Sequence, residues 1–464
     1  LQDMDAVGGV VYAFFDTGRV VEYSEDGRMV HECTPFAGDE WRGYRRTSLL
    51  AAWRDSVFYQ VRTGGRGSVL LAYMLGSRAW RTVMKVPTLL HTLTVTPQGI
   101  IYATCPNGFL RIDPSTGEIL ALVSSPGYDP SLLVGKGRGK NYGKLVNNPY
   151  KPLFDRAIMA AYPPGSTFKP TQGLIFRQEG IVDLNTMYPC HHGYYNGGLH
   201  VGCHGHASPI SLIPALETSC NAYFCWGFWH MMGDRKKYGS TAKAFDKWKK
   251  YLVSMGYGYK LGIDLPGESR GFIPNVAYYD KNLGKGRWTG NSIISVAIGQ
   301  GEVLATPLQI ANLCATIANR GYYITPHVVK RIAGVGVLKK YLKRHYTKVS
   351  PRYYVDIVEG MRRAVLGGTC TRANLPGIEV CGKTGTAQNP HGKDHSAFMG
   401  FAPMNNPKIA VCAYIENAGF GATYGVPIGS LMIEKYLTGK VSRQYLVDEM
   451  MHSNTIIYSG VSKH

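Results

Sequence analysis

The 464-residue sequence predicts an α+β fold preceded by a separate β-rich segment, and three observations carry that expectation. Short β-rich runs separated by turn signals fill residues 1–110. In the middle of the chain, Pro163-Pro164-Gly165 forces a turn and an apolar stretch follows, so Ser166 opens a helix. Late in the chain, Val380 to Thr386 has little helical period and β-compatible residues, which places it on an edge strand.

Taken in order, the first segment holds the runs Gly9 to Phe15, Val69 to Tyr73 and Gly99 to Thr104, with turn signals at Ser24 to Gly27 and Pro106-Asn107-Gly108. Their spacing resembles two or three β-propeller blades, too few to close a propeller. A strand-like run from Ile112 to Ser124 follows. Tyr128 to Asn148, rich in Gly and Lys, reads as a mobile loop near a cleft entrance. Arg235 to Lys250, with Trp248, Tyr251 and Leu252 interleaved, reads as one amphipathic helix with a basic, solvated face. The domain division expected is 1–110, 111–440 and a tail at 441–464, which carries no usable signal.

A chain of this length exceeds one ordinary core, and 45% apolar residues suffice to build more than one. The net charge of +20 calls for a partner, and anionic membrane lipid or cell-wall polymer suits it. Nucleic acid is excluded as the partner, because no RNA- or DNA-binding motif accompanies the charge. No stretch reaches about 18 consecutive apolar residues, and the first residues, Leu1-Gln-Asp-Met-Asp5, are polar, so neither a signal peptide nor a membrane span is expected in this sequence.

The chemistry rests on three short motifs: Ser166-Thr-Phe-Lys169, Ser219-Cys-Asn221 and Lys383-Thr-Gly385. Each alone is weak, since a serine and a lysine three apart most often form a helix cap beside a solvated amine. Together, in this order and context, they are the signature set of serine acyltransferases that act on penicillin-like substrates. Serine needs a base to become a nucleophile, and Lys169 lies on the same helix face as Ser166. A lysine must be neutral to accept a proton, so burial or a neighbouring cation must lower its pKa from about 10.4, and Lys383 is such a cation. Ser219 would relay a proton to a leaving amine and Asn221 would hold a substrate amide. Lys383 would attract a carboxylate, Gly385 would let a substrate backbone approach, and the Thr386 N–H would join the Ser166 N–H as an oxyanion hole.

Ten cysteines are too few for a disulfide scaffold. Cys314 and Cys412 lie in apolar runs and read as core packing. Cys190, Cys203 and His206 differ, because a Cys-x-x-His spacing with a third cysteine nearby can hold structural zinc. A Cys190 to Cys203 disulfide and free thiols are the alternatives.

With these motifs in place, the chain resembles a class B penicillin-binding protein of the penicillin-binding protein 2 type. The supporting segments are Ile112 to Pro126, Tyr128-Asp-Pro130, Gly262-Ile-Asp-Leu-Pro-Gly-Glu268, Ile298-Gly-Gln-Gly-Glu-Val-Leu-Ala-Thr-Pro307 and Phe398-Met-Gly-Phe-Ala-Pro403, so the likeness covers about residues 111–440. The resemblance implies the penicillin-binding transpeptidase fold: an antiparallel five-stranded sheet with helices on both faces and a helical lobe inserted between strands. It implies a peptidoglycan D,D-transpeptidase of cell elongation, with Ser166 attacking the D-Ala-D-Ala stem peptide and a neighbouring stem amine resolving the acyl-enzyme. It further implies β-lactam inhibition, Thr384 among the carboxylate contacts, and no cofactor for catalysis. A membrane glycosyltransferase partner follows in the same way, as does a catalytic domain at the outer face of the cytoplasmic membrane with an anchor upstream of Leu1. The competing readings are a β-lactamase-type hydrolase, which shares the acylation machinery but sends water to the acyl-enzyme, and a catalytically silent binding or scaffold protein. The long interval from Asn221 to Lys383 and the intact motifs count against them.

Overall fold

The computed structural model describes residues 114–332, 336–390 and 392–453 throughout, and before them a set of strands between 3 and 112 with the turn at 26–28. Contacts divide the chain into two compact units, 1–108 with 123–154, and 109–122 with 155–464.

In the first unit, Asp3–Val7, Val10–Phe14, Val20–Ser24 and Met29–Cys33 form one four-stranded antiparallel meander, and Arg45–Trp53, Ser56–Arg62, Ser68–Met74 and Ala79–Val86 form another. Thr92–Val95 and Ile101–Thr104 add a hairpin. The turn at Ser24 to Gly27 is closed by the Gly27 N–H on Ser24 O at 2.9 Å, whereas Pro106-Asn107-Gly108 lies outside the described residues. The stretch from Tyr128 to Asn148, expected as a loop, is ordered instead. Asp129 caps a 3-10 turn at Pro130–Leu133 by accepting the Ser131 N–H, and a helix spans Arg138–Val146. Its two glycines, Gly139 and Gly143, hid the helix, because glycine disfavours that conformation in isolation.

The second unit is built on a five-stranded antiparallel sheet. Its strands are β1 (Leu110–Ile112), β2 (Ile119–Leu122), β3 (Cys381–Ala387), β4 (His395–Ala402) and β5 (Ile409–Ile415), in the spatial order β2-β1-β5-β4-β3. The single run expected from Ile112 to Ser124 is a hairpin, because Pro114 to Gly117 turns the chain and Gly117 adopts φ +76°. The helices that matter to the site are α1 (Lys169–Gln178), α2 (Leu212–Glu217), α3 (Asn221–Gly233), α4 (Thr241–Ser254), α5 (Pro307–Ala318), α6 (Tyr354–Leu366), α7 (Gly425–Thr438) and α8 (Gln444–His452).

The period of two along the sheet decides which helix covers which face. Met399, Phe401, Ala410 and Cys412 belong to the core that contains α5 and the helical lobe, while Phe398, Ala402, Ile409 and Val411 pack with Val426 and Ile433 of α7. Both faces are therefore covered, and near-continuous apolar strands result. Edge strand β3 closes one side, and α6 packs against it.

The basic amphipathic stretch is two helices. Gly239 at φ +80° ends a short helix at Arg235–Tyr238, and the Ser240 side chain caps α4 by accepting the Lys243 N–H. Phe245, Trp248, Tyr251 and Leu252 are buried along one stripe, and Trp248 Nε1 donates to Gln172 Oε1 of α1 at 2.8 Å. Two family-typical segments prove to be scaffolding. Glu268 accepts the N–H groups of Leu261, Gly262 and Ile263 at 2.6, 3.0 and 3.3 Å. Thr306 and Gln309 form a reciprocal capping box at the start of α5. Residues beyond 440 include α8, and Arg443 just before it pairs with the buried Glu434 of α7 at 2.9 Å.

Glu268→Ala should strip one buried carboxylate from three amides and lower stability by about 2 to 3 kcal/mol, the scale of charge-assisted hydrogen bonds. Thermal denaturation should register a clear loss of Tm; an unchanged Tm would refute the role.

Candidate active site

The nucleophile candidate lies on a tight turn. Gly165–Phe168 forms one 3-10 turn that runs directly into α1, so Ser166 precedes the helix by one turn and Lys169 is its first residue. Gly165 takes φ +54°, and a Cβ there would meet Thr386 O at 2.8 Å. A Cβ on Gly385 would meet Thr167 Cγ2 at 2.9 Å and Pro164 O at 3.1 Å. The two glycines thus let the serine turn lie directly on edge strand β3. Gly385 was expected to make room for substrate backbone, but the space in front of it is taken by the serine turn itself.

Lys169 is fully buried, and its ammonium donates to Ser219 O at 2.6 Å, Ser219 Oγ at 3.1 Å and Asn221 Oδ1 at 2.6 Å. Lys383, also fully buried, reaches the same hydroxyl from β3 and donates to Ser219 Oγ at 2.8 Å. Ser219 stands in the short link between α2 and α3 at φ +60°, a left-handed conformation that a non-glycine residue adopts only when its surroundings enforce it. The Cys220 N–H on Ala215 O and the Asn221 N–H on Cys203 Sγ hold the link on either side. Ser166 Oγ makes no hydrogen bond to the described residues, as befits a nucleophile whose partners tighten when substrate arrives.

The electrostatics follow from this crowding. Burial lowers the Lys169 pKa to about 8 against an opposing pull from the Cys220 and Cys203 sulfurs. Burial and then the charge on Lys169 lower Lys383 to about 7. Of the two causes expected for Lys169, burial comes first, as it does for Lys383, and the like-charge repulsion acts between the two amines as a pair. When both are charged, Ser219 Oγ accepts from two ammonium groups. When either is neutral, the hydroxyl can donate to it, which opens a proton path across the motif triplet.

The remaining motif residues are placed as follows. Thr384 is buried, and its hydroxyl donates to Thr369 Oγ1 at 2.8 Å. Thr386 Oγ1 accepts the Gly421 N–H at 3.3 Å, and Thr386 O accepts from Gln300 Nε2 at 3.3 Å. In an extended strand a residue's N–H and C=O project to the same side, so the Thr386 N–H also points off the free edge of β3, where the serine turn lies. Thr369, Gln300 and Cys220 are the residues that sequence reasoning missed. Cys220 was visible as the middle of Ser-Cys-Asn but reads as a spacer there.

The cysteine and histidine cluster converges beside this site. Ligand atoms of Cys190, Cys203, His206 and Cys220 lie within 4.8 Å of one another, with Cys203 Sγ 3.4 Å from His206 Nε2. The hairpin Gly193–Asn196 and Leu199–Gly202 brings Cys203 back beside Cys190. All the cysteines in it are unpaired thiols. Hydrogen bonds from Cys220, Asn221 N and His206 hold the Cys203 thiol well below its ordinary pKa, with that from Cys220 foremost. Three sulfurs and one imidazole nitrogen make a donor set that closes a tetrahedral metal site.

A serine at the head of a helix, a buried lysine pair and a facing edge strand on a five-stranded antiparallel sheet define the class of active-serine, penicillin-interacting proteins. Residues 108–432 match the family described as penicillin binding protein transpeptidase domain, and the chain belongs to that family. It is 34% identical over 341 residues to the peptidoglycan D,D-transpeptidase MrdA of Acinetobacter baumannii, covering 68% of this chain and 48% of that relative. It is 30% identical over 347 residues to MrdA of Escherichia coli, covering 68% and 51%. The chain thus spans about half the length of these relatives. Among solved structures it is similar to Pseudomonas aeruginosa PBP2 in complex with WCK 5153, at 30% identity, TM-score 0.62 and 73% of each chain. A chain of a peptidoglycan synthase complex that coordinates polymerization and crosslinking is 27% identical with TM-score 0.63, covering 81% of this chain and 68% of that one.

If a neutral lysine is the base, acylation by a β-lactam should depend on its deprotonated fraction. Both pKa values are lowered, so the base is already populated as pH rises through about 7 to 8, whereas an ordinary lysine would delay the rise to about 10.4. Stopped-time labelling across pH should show the acylation rate climbing between about pH 6 and 8.5 and then levelling. A rate still rising steeply at pH 10 would contradict the lysine assignment.

Proposed function

We propose that this chain is a peptidoglycan D,D-transpeptidase that crosslinks stem peptides during cell elongation and is acylated by β-lactams. The observation that carries the reading is the convergence of Lys169 and Lys383 on Ser219 beside the Ser166 turn. Ser166 Oγ adds to the carbonyl of the penultimate D-alanine, and its proton passes to neutral Lys169. The developing oxyanion sits between the N–H groups of Ser166 and Thr386. The C–N bond breaks as the proton returns through Ser219 to the leaving D-alanine amine, leaving an ester on Ser166. A side-chain amine of a neighbouring stem then attacks the ester, forms the crosslink and gives its proton back to Ser166. Asn221 holds the stem-peptide amide, and Lys383 serves the substrate carboxylate.

The same reading places the catalytic domain at the outer face of the cytoplasmic membrane, where peptidoglycan is assembled. Among the described residues no helix is long and apolar enough to cross a membrane. A membrane glycosyltransferase is the proposed partner, in keeping with the likeness to the peptidoglycan synthase complex. Structural zinc is proposed at Cys190, Cys203, His206 and Cys220. Bound there, it would tie the hairpin to the Ser219 link and supply no step of the chemistry.

Incubation with a fluorescent penicillin should give a long-lived covalent label that Ser166→Ala abolishes. Labelling that survives Ser166→Ala would disprove the nucleophile, and rapid turnover of the label would point to a hydrolase. Metal analysis of the purified protein should return about one equivalent of zinc, lost in Cys220→Ser. Less than about half an equivalent in the wild-type protein would remove the metal site.

A further inference from the structure

The segment Ile298 to Pro307 was singled out in the sequence, and its second half is explained by the cap of α5. Its first half lies elsewhere. Gly299 O accepts the Gly165 N–H at 2.9 Å, so the residue immediately before Ser166 is tied to it. Gly299 approaches so closely, at φ +72°, that a Cβ there would fall 2.4 Å from Gly165 O. The next residue, Gln300, donates from Nε2 to Thr386 O at 3.3 Å, and its own N–H is fixed on Ser295 O at 3.0 Å. One dipeptide therefore grips both halves of the oxyanion site, the serine turn through Gly299 and the edge strand through Gln300.

We propose that Gln300 is a positioning residue for acyl transfer, setting the separation between the Ser166 and Thr386 N–H groups through its hydrogen bond to the Thr386 carbonyl. The inference rests on the acyl-transfer reading above. Three physical points support it. The Thr386 carbonyl and N–H project from the same edge of an extended strand, in successive peptide groups joined at one Cα, so a donor that holds the carbonyl direction also restrains the N–H direction. Gly385 packs against Pro164 and Thr167 and so lends β3 no side chain of its own at that point. Gln300 is half-buried, with its amide reaching a strand that is a free edge on this side, so no ladder bond substitutes for it. Its chemistry selects an amide: a carboxylate of the same length would present an acceptor to the Thr386 carbonyl, and a shorter Asn would not span the gap.

The test uses the full chain and a fluorescent penicillin, with the acylation step separated from noncovalent binding by varying penicillin concentration. Gln300→Ala should lower the acylation rate constant about 10- to 100-fold, the range for a misplaced reacting group, while the apparent binding constant changes little. Gln300→Glu should lose at least as much despite its equal length. Tm should stay within about 3 °C of wild type for both, and the pH dependence of acylation should keep its midpoint, because the lysine relay is untouched. Acylation by Gln300→Ala within about twofold of wild type would overturn the proposal while leaving the transpeptidase reading intact. A parallel collapse of acylation and Tm, or full activity in Gln300→Glu, would also overturn it by reducing the residue to packing. Absence of labelling in the wild-type protein would remove both.

Discussion

Two buried ammonium groups aimed at one hydroxyl are the constraint around which the second unit is organised. Lys169 and Lys383 come from different elements, one at the head of α1 and one on β3, and meet at Ser219 Oγ at 3.1 and 2.8 Å. Like charges brought together away from water repel, and burial penalises each separately. The site relieves this by proton loss, since a depressed lysine needs little encouragement to become neutral. What the fold must supply is rigidity, because relaxation that admitted water to the two amines would raise both back toward ordinary basicity.

That rigidity has identifiable sources. Helix α1 is buried along nearly its whole length and tied to α4 through Gln172 and Trp248. Strand β3 is held by seven register pairs with β4, from Cys381 to Ala387. Ser219 is kept in a left-handed conformation by helices on both sides, and Asn221 accepts from Lys169 while its own amide donates to Gly202 O at 2.7 Å. The cysteine cluster stands behind the same link, so a cross-linking ion there would reinforce the element that presents Ser219. Structure and chemistry share residues here: Cys220 caps α3 by accepting the Tyr223 N–H and belongs to the cluster as well.

Much of this was legible in the sequence because it rests on local signals. A Pro-Pro-Gly turn before Ser166, three ordered motifs and the glycine of Lys-Thr-Gly-Thr are contiguous patterns, and the structure brings all three motifs to one place. The five-stranded sheet followed from the family likeness, and its two-sided apolar strands agree. What escaped depends on contacts between residues far apart. The hairpin at Pro114 to Gly117 was read as one strand because both arms are apolar. Gly239 split a basic stretch whose composition looks continuous. Thr369 and Gln300 reach β3 only after 15 and 86 residues of chain separation are closed, which no short-range pattern reports. Gly385 was assigned to substrate because its partner, the serine turn, lies more than two hundred positions earlier in the chain.

The claim that one lysine of the pair is neutral near physiological pH is open to direct observation by NMR titration of side-chain-labelled lysines in the uncomplexed protein. One or two resonances should titrate with midpoints near 7 to 8, well separated from the surface lysines and absent from a Lys169→Met, Lys383→Met double variant. Titration of every lysine near the ordinary value of about 10.4 would contradict it.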